Sequence, residues 1–403
     1  MSNEFDFNLK EIREGLVSFS APEIKGHPKC VSSKMPVFYN PHMELNRDFA
    51  VAFLSVFRKI LGRDLWVCEP LTGCGVRGVR FAVEVKGVEK IVINDLNKRA
   101  AKLASFNVEK AGVENRVTVK NMDANMILAM HSPPGQRFDY IDIDPFGSPV
   151  PFIESGLRAL HNEGVLALTA TDMAPLCGVH KKACIRRYGV KPLKVEYCHE
   201  LAVRALVGFT ALNAARKDLS IEPLFCHSTD HYVRTYVRIR RGATKAERCL
   251  KNMGYIFHCF KCFHREFVFG LFPELKPVCK ECGKVMSYSG PLWLGSILNR
   301  NFCKEIWKSI DAMSLGQKRR LSRIIERIMS EMGGSPTYYV LSVLCDFLNI
   351  STPSLTKVIE EIKEAGFKAS LTHFNPQGIK TNAPKSVLVE TLKNLVQPHI
   401  VSA

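Results

Sequence analysis

The sequence predicts an α/β fold: a parallel sheet with helices on both faces, then a small cysteine-pair module, then a mainly helical α+β C-terminal domain. Three observations carry that prediction. Short apolar strands alternate with helix-period segments between about residues 65 and 171, and parallel neighbours need such crossovers. A glycine-bearing turn follows the first of those strands directly. Two Cys-x2-Cys pairs lie beyond the alternating region, with helix-period segments after them.

Each element has its own signal. Glu44–Ile60 reads as an amphipathic helix, because Phe49, Phe53, Leu54 and Phe57 recur at spacings of three and four. Leu65–Cys68 is the first strand, with a helix around 76–86. Lys90–Asp95 is the second, with a helix over about 97–111. Arg116–Lys120, Phe138–Asp144 and Gly164–Thr171 are the next three. Glu200–Lys217 reads as a helix, and Ser220–Phe225 with Tyr232–Ile239 as two adjoining strands that close the sheet in antiparallel fashion. Residues 300–400 read as helices, broken at Gly333-Gly334-Ser335-Pro336.

Composition narrows the function. The 403 residues are 46% hydrophobic and 24% charged, a globular balance that argues against global disorder. Lys plus Arg number 56 against 39 Asp plus Glu, a formal charge of +17, and such an excess favours a polyanionic partner. The polar start MSNEFDFNLKEIREG has no secretory pattern, and no apolar run approaches membrane-spanning length. Four of the 14 cysteines form two close pairs; others, such as Cys68 and Cys198, stand beside apolar neighbours. That pattern suits buried thiols in a reducing compartment plus one metal site. A soluble cytoplasmic protein is expected, with no membrane partner, no obligate protein partner, and a monomeric state.

Glu69-Pro70-Leu71-Thr72-Gly73-Cys74-Gly75-Val76-Arg77-Gly78 follows the first strand. Gly73 and Gly75 permit the tight turn that lets a nucleotide cofactor approach the sheet edge. A bare Gly-x-Gly is weak evidence; its place between strand and helix strengthens it. Asp95 ends the second strand about twenty residues on, where an acidic residue accepts hydrogen bonds from ribose hydroxyls. Asp123-Ala124 follows the third strand and reads either as an acceptor for an adenine amine or as a helix start.

The fourth strand separates methyl transfer from nicotinamide chemistry. Tyr140, Asp142 and Asp144 share one face, and Asp144-Pro145-Phe146-Gly147-Ser148-Pro149 runs into the following loop. An acidic residue before Pro-aromatic at a sheet edge suits methylation of a planar amine. A carboxylate holds the N–H groups and receives a proton as the nitrogen becomes cationic. The ring offers a stacking face for a base. Asp144 and Phe146 take these roles, with S-adenosylmethionine as donor and an exocyclic base amine in RNA as acceptor. Asp139 and Asp142 read as structural acids.

Four blocks together resemble the tRNA (guanine-26-N2) dimethyltransferase family, the Trm-one type: Asn46-Arg47-Asp48, the stretch from Pro70 to Gly78, Asp144 to Pro149, and Gly378-Ile379-Lys380-Thr381-Asn382-Ala383-Pro384. The resemblance implies a class I Rossmann-like methyltransferase domain and two successive methyl transfers to guanine N2 in tRNA. It implies that Arg47, Arg77, Asp95, Asp123 and Ala124 contact the cofactor, and that Phe38 joins Phe146 around the guanine. The chain then divides into an extension over the cofactor and base pocket (1–62), a catalytic domain (63–245), a four-cysteine module (246–290) and a tRNA-binding domain (291–403).

Cys259-x2-Cys262 and Cys279-x2-Cys282 suit a zinc-ribbon-like module with tetrahedral zinc; four sulfur ligands leave no open position, so the metal is structural. A rubredoxin-like iron centre shares the spacing. His258 and His264 flank the first pair and read as surface or RNA-facing. Three basic stretches are candidate phosphate contacts: His180 to Tyr188; Arg234, Arg238, Arg240, Arg241 and Lys245; and Lys318, Arg319, Arg320, Arg323 and Arg327. Two rival readings stand: an amino-methyltransferase on DNA or small molecules, and a non-catalytic zinc-containing RNA-binding protein.

Overall fold

The first element is one that the sequence pattern does not announce. β1 (Leu9–Glu14) and β2 (Val17–Pro22) pair antiparallel across a turn at Gly15 and Leu16. Gly15 has φ +55°, which a two-residue hairpin turn requires. The computed structural model describes residues 5–23, 35–274 and 276–396; the first four residues of the polar start and the tail after 396 lie outside these. α1 (Glu44–Leu61) ends at Gly62, whose left-handed backbone donates to the Arg58 carbonyl. Its buried face holds the expected phenylalanines and also Asn46, Arg47 and Asp48.

The alternating region follows as β3 (Leu65–Glu69), α2 (Val76–Glu84), β4 (Val88–Asn94), α3 (Lys98–Lys110), β5 (Val117–Lys120), α4 (Ala124–Met130), β6 (Phe138–Ile143), α5 (Val150–Arg158) and β7 (Leu160–Ala170). β3 pairs parallel with β4 and β6, β4 with β5, and β6 with β7. Every position of β6 is buried, as a strand covered on both faces demands. Its acidic residues are therefore partnered: Asp139 accepts from Trp66 N at 2.9 Å and Arg63 Nη1 at 3.0 Å, and Asp142 from the Tyr140 hydroxyl at 2.7 Å.

The chain continues through α6 (Met173–Leu176), α7 (Lys181–Tyr188), α8 (Cys198–Ala215), β8 (Leu219–Thr229), β9 (Tyr232–Arg241), α9 (Ala243–Leu250), β10 (Met253–His258), β11 (Arg265–Phe269) and β12 (Ser287–Trp293). It ends with α10 (Arg300–Ser309), α11 (Lys318–Glu331), β13 (Tyr339–Val340), α12 (Leu341–Leu348), α13 (Leu355–Glu364), β14 (Ala369–Leu371), β15 (Gly378–Thr381) and α14 (Lys385–Val396). The large sheet has the order β5-β4-β3-β6-β7-β9-β8. Only Asp230 and His231 separate β8 from β9, a link short enough for an antiparallel hairpin alone. No helix among the described residues is long and apolar enough to cross a membrane.

The chain forms two compact units. The first comprises Met1–Thr171, Tyr236–Arg241 and Asn301–Arg323; the second comprises Asp172–Thr235, Gly242–Arg300 and Ile324–Ala403. The units interleave along the chain, whereas the sequence division runs in consecutive segments. The second unit contains the small sheets β11-β10-β12 and β13-β15-β14. Strands β13 to β15 are two to four residues long, too short for alternation to register in the sequence. The Gly378–Thr381 motif forms β15, the middle strand. Its Lys380 Nζ donates to Glu200 Oε1 on α8 at 2.8 Å, and Arg204 Nη2 donates to the same oxygen at 2.7 Å.

Gly78 fixes the seating of α2 on the sheet, since a Cβ there would lie 2.3 Å from Ile93 Cγ2. Gly78→Ala is therefore expected to lower the unfolding free energy by about 1–3 kcal/mol in urea titration; an unchanged midpoint would mean that α2 lifts from β4 without cost.

Candidate active site

A cavity of about 780 Å³ opens in the first unit above the C-terminal ends of the parallel strands. Its wall combines Phe38 to Arg47, the turn from Glu69 to Arg77, Asp95, and the segment from Asp144 to Phe152. Gly73 and Gly75 have φ +56° and +82°. A Cβ on Gly73 would lie 2.8 Å from the Phe38 carbonyl oxygen, and one on Gly75 would lie 2.9 Å from Ala104 Cβ. The turn thus needs glycine for backbone conformation and for close approach.

Asn94 clamps three strand ends together. Its amide donates to the carbonyls of Pro70 and Met122, each at 3.0 Å, and accepts from Met122 N at 3.1 Å. Asp95 accepts from Gly73 N at 2.8 Å and Asn97 N at 2.9 Å. Burial pushes its carboxyl above the usual value, against these two bonds. Each oxygen retains a lone pair for a ribose hydroxyl. Asp123 caps α4, accepting from Asn125 N at 2.8 Å and Met126 N at 3.2 Å, and neither Asp123 nor Ala124 is on the cavity wall.

Each residue of the Asn46-Arg47-Asp48 triplet is held by a partner from another segment. Asn46 Oδ1 accepts from Arg77 Nη1 at 2.9 Å. Arg47 donates to Glu14 from Nε at 2.7 Å and from Nη2 at 2.5 Å. Asp48 accepts from Arg80 Nη2 and from Gln317 N, each at 2.7 Å. Arg77 is 3% exposed and pairs with three carboxylates: Glu69 at 3.2 Å, Asp142 at 3.4 Å, and Asp144. Glu69 also accepts from Thr72 Oγ1 at 2.6 Å and Gly78 N at 3.1 Å. Burial drives the Glu69 carboxyl up to about 7, partly opposed by Arg77.

The chain leaves the sheet at Asp144, beyond the end of β6. Gly147 exchanges hydrogen bonds with Thr171: its N–H donates to Oγ1 and its carbonyl accepts from Thr171 N, each at 2.9 Å. Phe146 is 60% exposed, and its ring meets Phe38 edge-on, with centroids 4.3 Å apart and planes at 77°. A base stacked between two faces needs about 7 Å, so the rings meet but the slot between them is closed.

The four cysteines of the second unit converge. Their Sγ atoms lie within 4.8 Å of one another, with Cys259–Cys282 at 3.5 Å and Cys262–Cys279 at 3.6 Å. Sulfurs around tetrahedral zinc stand about 3.8 Å apart. Each pair sits in a tight turn: Cys262 N donates to Cys259 O at 3.3 Å, and Gly283 N to Cys279 O at 2.9 Å. These residues could hold a metal. Cys177, Cys198 and His199 form a second cluster within 4.8 Å, with one ligand fewer than a closed structural site needs.

A family model described as TRM, N2,N2-dimethylguanosine tRNA methyltransferase, matches residues 18–393. The chain belongs to that family. It is 40% identical to the tRNA (guanine(26)-N(2))-dimethyltransferase of Methanobrevibacter smithii over 97% of this chain and 98% of that protein. It is 36% identical to the tRNA (guanine(26)-N(2)/guanine(27)-N(2))-dimethyltransferase of Aquifex aeolicus over 96% of each. Among solved structures, the complex of Trm1 from Pyrococcus horikoshii with S-adenosyl-L-methionine matches with a TM-score of 0.84 at 33% identity, covering 95% of this chain and 100% of that one. The Rossmann-like methyltransferase fold with a helical C-terminal region is thereby shown.

Within this family member, several sequence expectations change. His258 is 1% exposed and hydrogen-bonded to the Tyr197 hydroxyl at 3.2 Å, so it does not face RNA. Arg234 is buried, because β9 is an interior strand. Arg238 and Arg240 pair with Glu163 at 3.4 and 2.8 Å. Among the expected phosphate contacts, Lys181, Lys182 and Arg186 on α7 and Arg319, Arg320 and Arg323 on α11 are exposed. Sequence reading missed Glu14 and Glu69. Glu69 carries a faint signal, an acid ending an apolar strand; Glu14 carries none, since an acid beside a hairpin glycine is usually solvated.

Glu69 gives a pH signature. Its folded value, about 7, lies above the ordinary 4.5, so its stabilising contribution is complete below pH 4.5 and is lost as pH rises through 7. Measured against Glu69→Gln, the cofactor-free protein is expected to lose about 3 kcal/mol of stability across that interval. Parallel pH profiles in chemical denaturation would refute this.

Proposed function

We infer that this chain transfers a methyl group from S-adenosylmethionine to the exocyclic N2 of guanine 26 in tRNA, and then a second to the same nitrogen. The observation that carries the reading is the single cavity that Gly73, Arg47 and Asp95 share with Asp144 and Phe146. The family and its relatives support substrate and donor. The cavity fits the donor's chemistry: glycine backbone at closest approach, a carboxylate for the ribose diol, and a guanidinium for the amino-acid carboxylate.

The donor supplies an electrophilic methyl on a sulfonium. The protein's own work is to hold the acceptor amine. Asp144 has Oδ2 committed to Arg77, while Oδ1 has no hydrogen-bond partner among the described residues. Oδ1 accepts an N–H of the guanine amine, directing the nitrogen toward the methyl at about 3–3.5 Å. As the N–CH3 bond forms the S–CH3 bond breaks, S-adenosylhomocysteine leaves with that electron pair, and the same Asp144 oxygen takes the proton released by the now cationic nitrogen. Phe146 and Phe38 part from their edge contact to stack on the extruded base. After the first transfer one N–H remains and the amine is bulkier.

Arg77 serves this reading as the counter-ion of Asp144 rather than as a cofactor ligand. Asp123 acts by capping α4 beside the adenine. The C-terminal domain and the exposed cations of α7 and α11 grip tRNA phosphates. The chain works as a monomer in the cytoplasm, where buried thiols such as Cys68 and Cys74 stay reduced.

Two measurements test these assignments. In a nucleoside mass map of one defined tRNA, wild-type protein is expected to place N2,N2-dimethylguanosine at position 26. Asp144→Ala should lose about 100-fold or more in rate while retaining tRNA binding; near-parental methylation by that variant would remove Asp144 from the chemistry. The four-cysteine module is proposed as a zinc-ribbon-like structural site. Metal analysis should then find one zinc per chain, lost in Cys259→Ser/Cys262→Ser together with several degrees of thermal stability, and metal-free wild type of equal stability would reject it.

A further inference from the structure

The first hairpin carries a buried acid that no motif singles out. Glu14 is 2% exposed. Its carboxylate accepts from Arg47 Nε at 2.7 Å, from Arg47 Nη2 at 2.5 Å and from the Tyr39 hydroxyl at 2.7 Å. Arg47 Nη2 also donates to the Asn40 carbonyl at 3.0 Å. Nε and Nη2 are thereby used. Nη1 has no hydrogen-bond partner among the described residues, and Arg47 stands on the cavity wall.

We propose that Glu14 is a positioning residue for the methyl donor: it clamps the Nε–Nη2 edge of Arg47 so that Nη1 meets the donor's amino-acid carboxylate. This rests on the reading that the donor occupies this cavity. A bidentate carboxylate fixes the plane and direction of a guanidinium, which a flexible side chain alone does not. The ordering of Arg47 is then complete before the ligand arrives, and binding loses less rotamer entropy. Tyr39 completes the clamp from the side, with its ring 5.2 Å from the Arg47 guanidinium carbon. Burial alone would raise the Glu14 carboxyl; the Arg47 cation, with the hydrogen bonds from Arg47 and Tyr39, outweighs it and keeps the group below the usual range.

Charge alone predicts the opposite outcome. A carboxylate beside Arg47 offsets the cation that the donor's own carboxylate would meet, so its removal would tighten binding. Orientation and charge therefore differ in sign, and one titration separates them.

The titration uses the full chain with two ligands. S-adenosylhomocysteine keeps the amino-acid carboxylate; 5′-deoxy-5′-methylthioadenosine lacks the whole amino-acid head. Glu14→Gln is expected to weaken S-adenosylhomocysteine about tenfold or more, while methylthioadenosine stays within about twofold. Tyr39→Phe removes one hydroxyl from the clamp and should move the same ratio in the same direction by less. Tighter or unchanged S-adenosylhomocysteine binding in Glu14→Gln would overturn the proposal, as would equal losses for both ligands, which mark general damage. If wild type bound neither ligand, the cavity assignment would fail first and this proposal with it.

Discussion

Buried charge that must be paired is the constraint on which the first unit is built. Arg47, Arg77 and Arg80 are 6%, 3% and 0% exposed. A guanidinium left unpaired at such depth costs several kcal/mol. Each therefore dictates what must stand beside it. Arg47 demands Glu14 from the first hairpin. Arg80 demands Asp48 from α1 at 2.7 Å and Glu84 one helical turn on at 2.9 Å. Arg77 draws in Asn46 together with Glu69, Asp142 and Asp144. The N-terminal helix, the glycine turn and the reaction edge thus share ions. None of the three can shift without leaving a buried charge exposed to a low-dielectric interior.

Carboxylates outnumber guanidiniums around Arg77. The excess is relieved at Glu69, whose carboxyl value rises to about 7. Burial is the main cause, and its neighbours Asp142 and Asp144 raise it further. Glu69, on the cavity wall, is thus held well above the ordinary carboxylate range, while Asp144 is tied to Arg77. The arrangement keeps Arg77 shared among three acids, so that the loss of any one leaves it partnered.

The parts of this architecture visible in the sequence are those with local causes. The parallel strands, α1 and the glycine turn follow from apolar periodicity and from backbone conformations that only glycine tolerates. Cys259, Cys262, Cys279 and Cys282 converge as their spacing predicts, because short Cys-x2-Cys turns need no distant partner. The parts that stay hidden depend on long-range pairing. Glu14 meets Arg47 across 33 positions. Arg234 and His258 look like surface cations in one dimension and are interior once β9 and β10 are covered. Arg77 is implied as a cofactor contact only by resemblance; in the fold it lines the cavity and meets three of the protein's own carboxylates. The Asn46-Arg47-Asp48 triplet is legible only by resemblance, and its physical meaning is that three adjacent polar residues each answer a different buried charge.

The proposed reaction edge is built from one fixed and one yielding part. Asp144 is held by an ion pair in the buried network, so its free oxygen has a defined position. Phe146 is mostly exposed and rests on Phe38 by an edge contact, an interaction worth about 1 kcal/mol. In the proposed reading a tRNA base displaces that contact at small cost, since stacking on the same rings replaces it. Two successive transfers would use this asymmetry. The proposed acceptor oxygen would hold an N–H in the same place both times, keeping the nitrogen aligned with the methyl. The aromatic side would give way the second time, because the amine has grown by a methyl group. A rigid aromatic slot would bind the first substrate well and exclude the second. A mobile carboxylate would accept both and align neither.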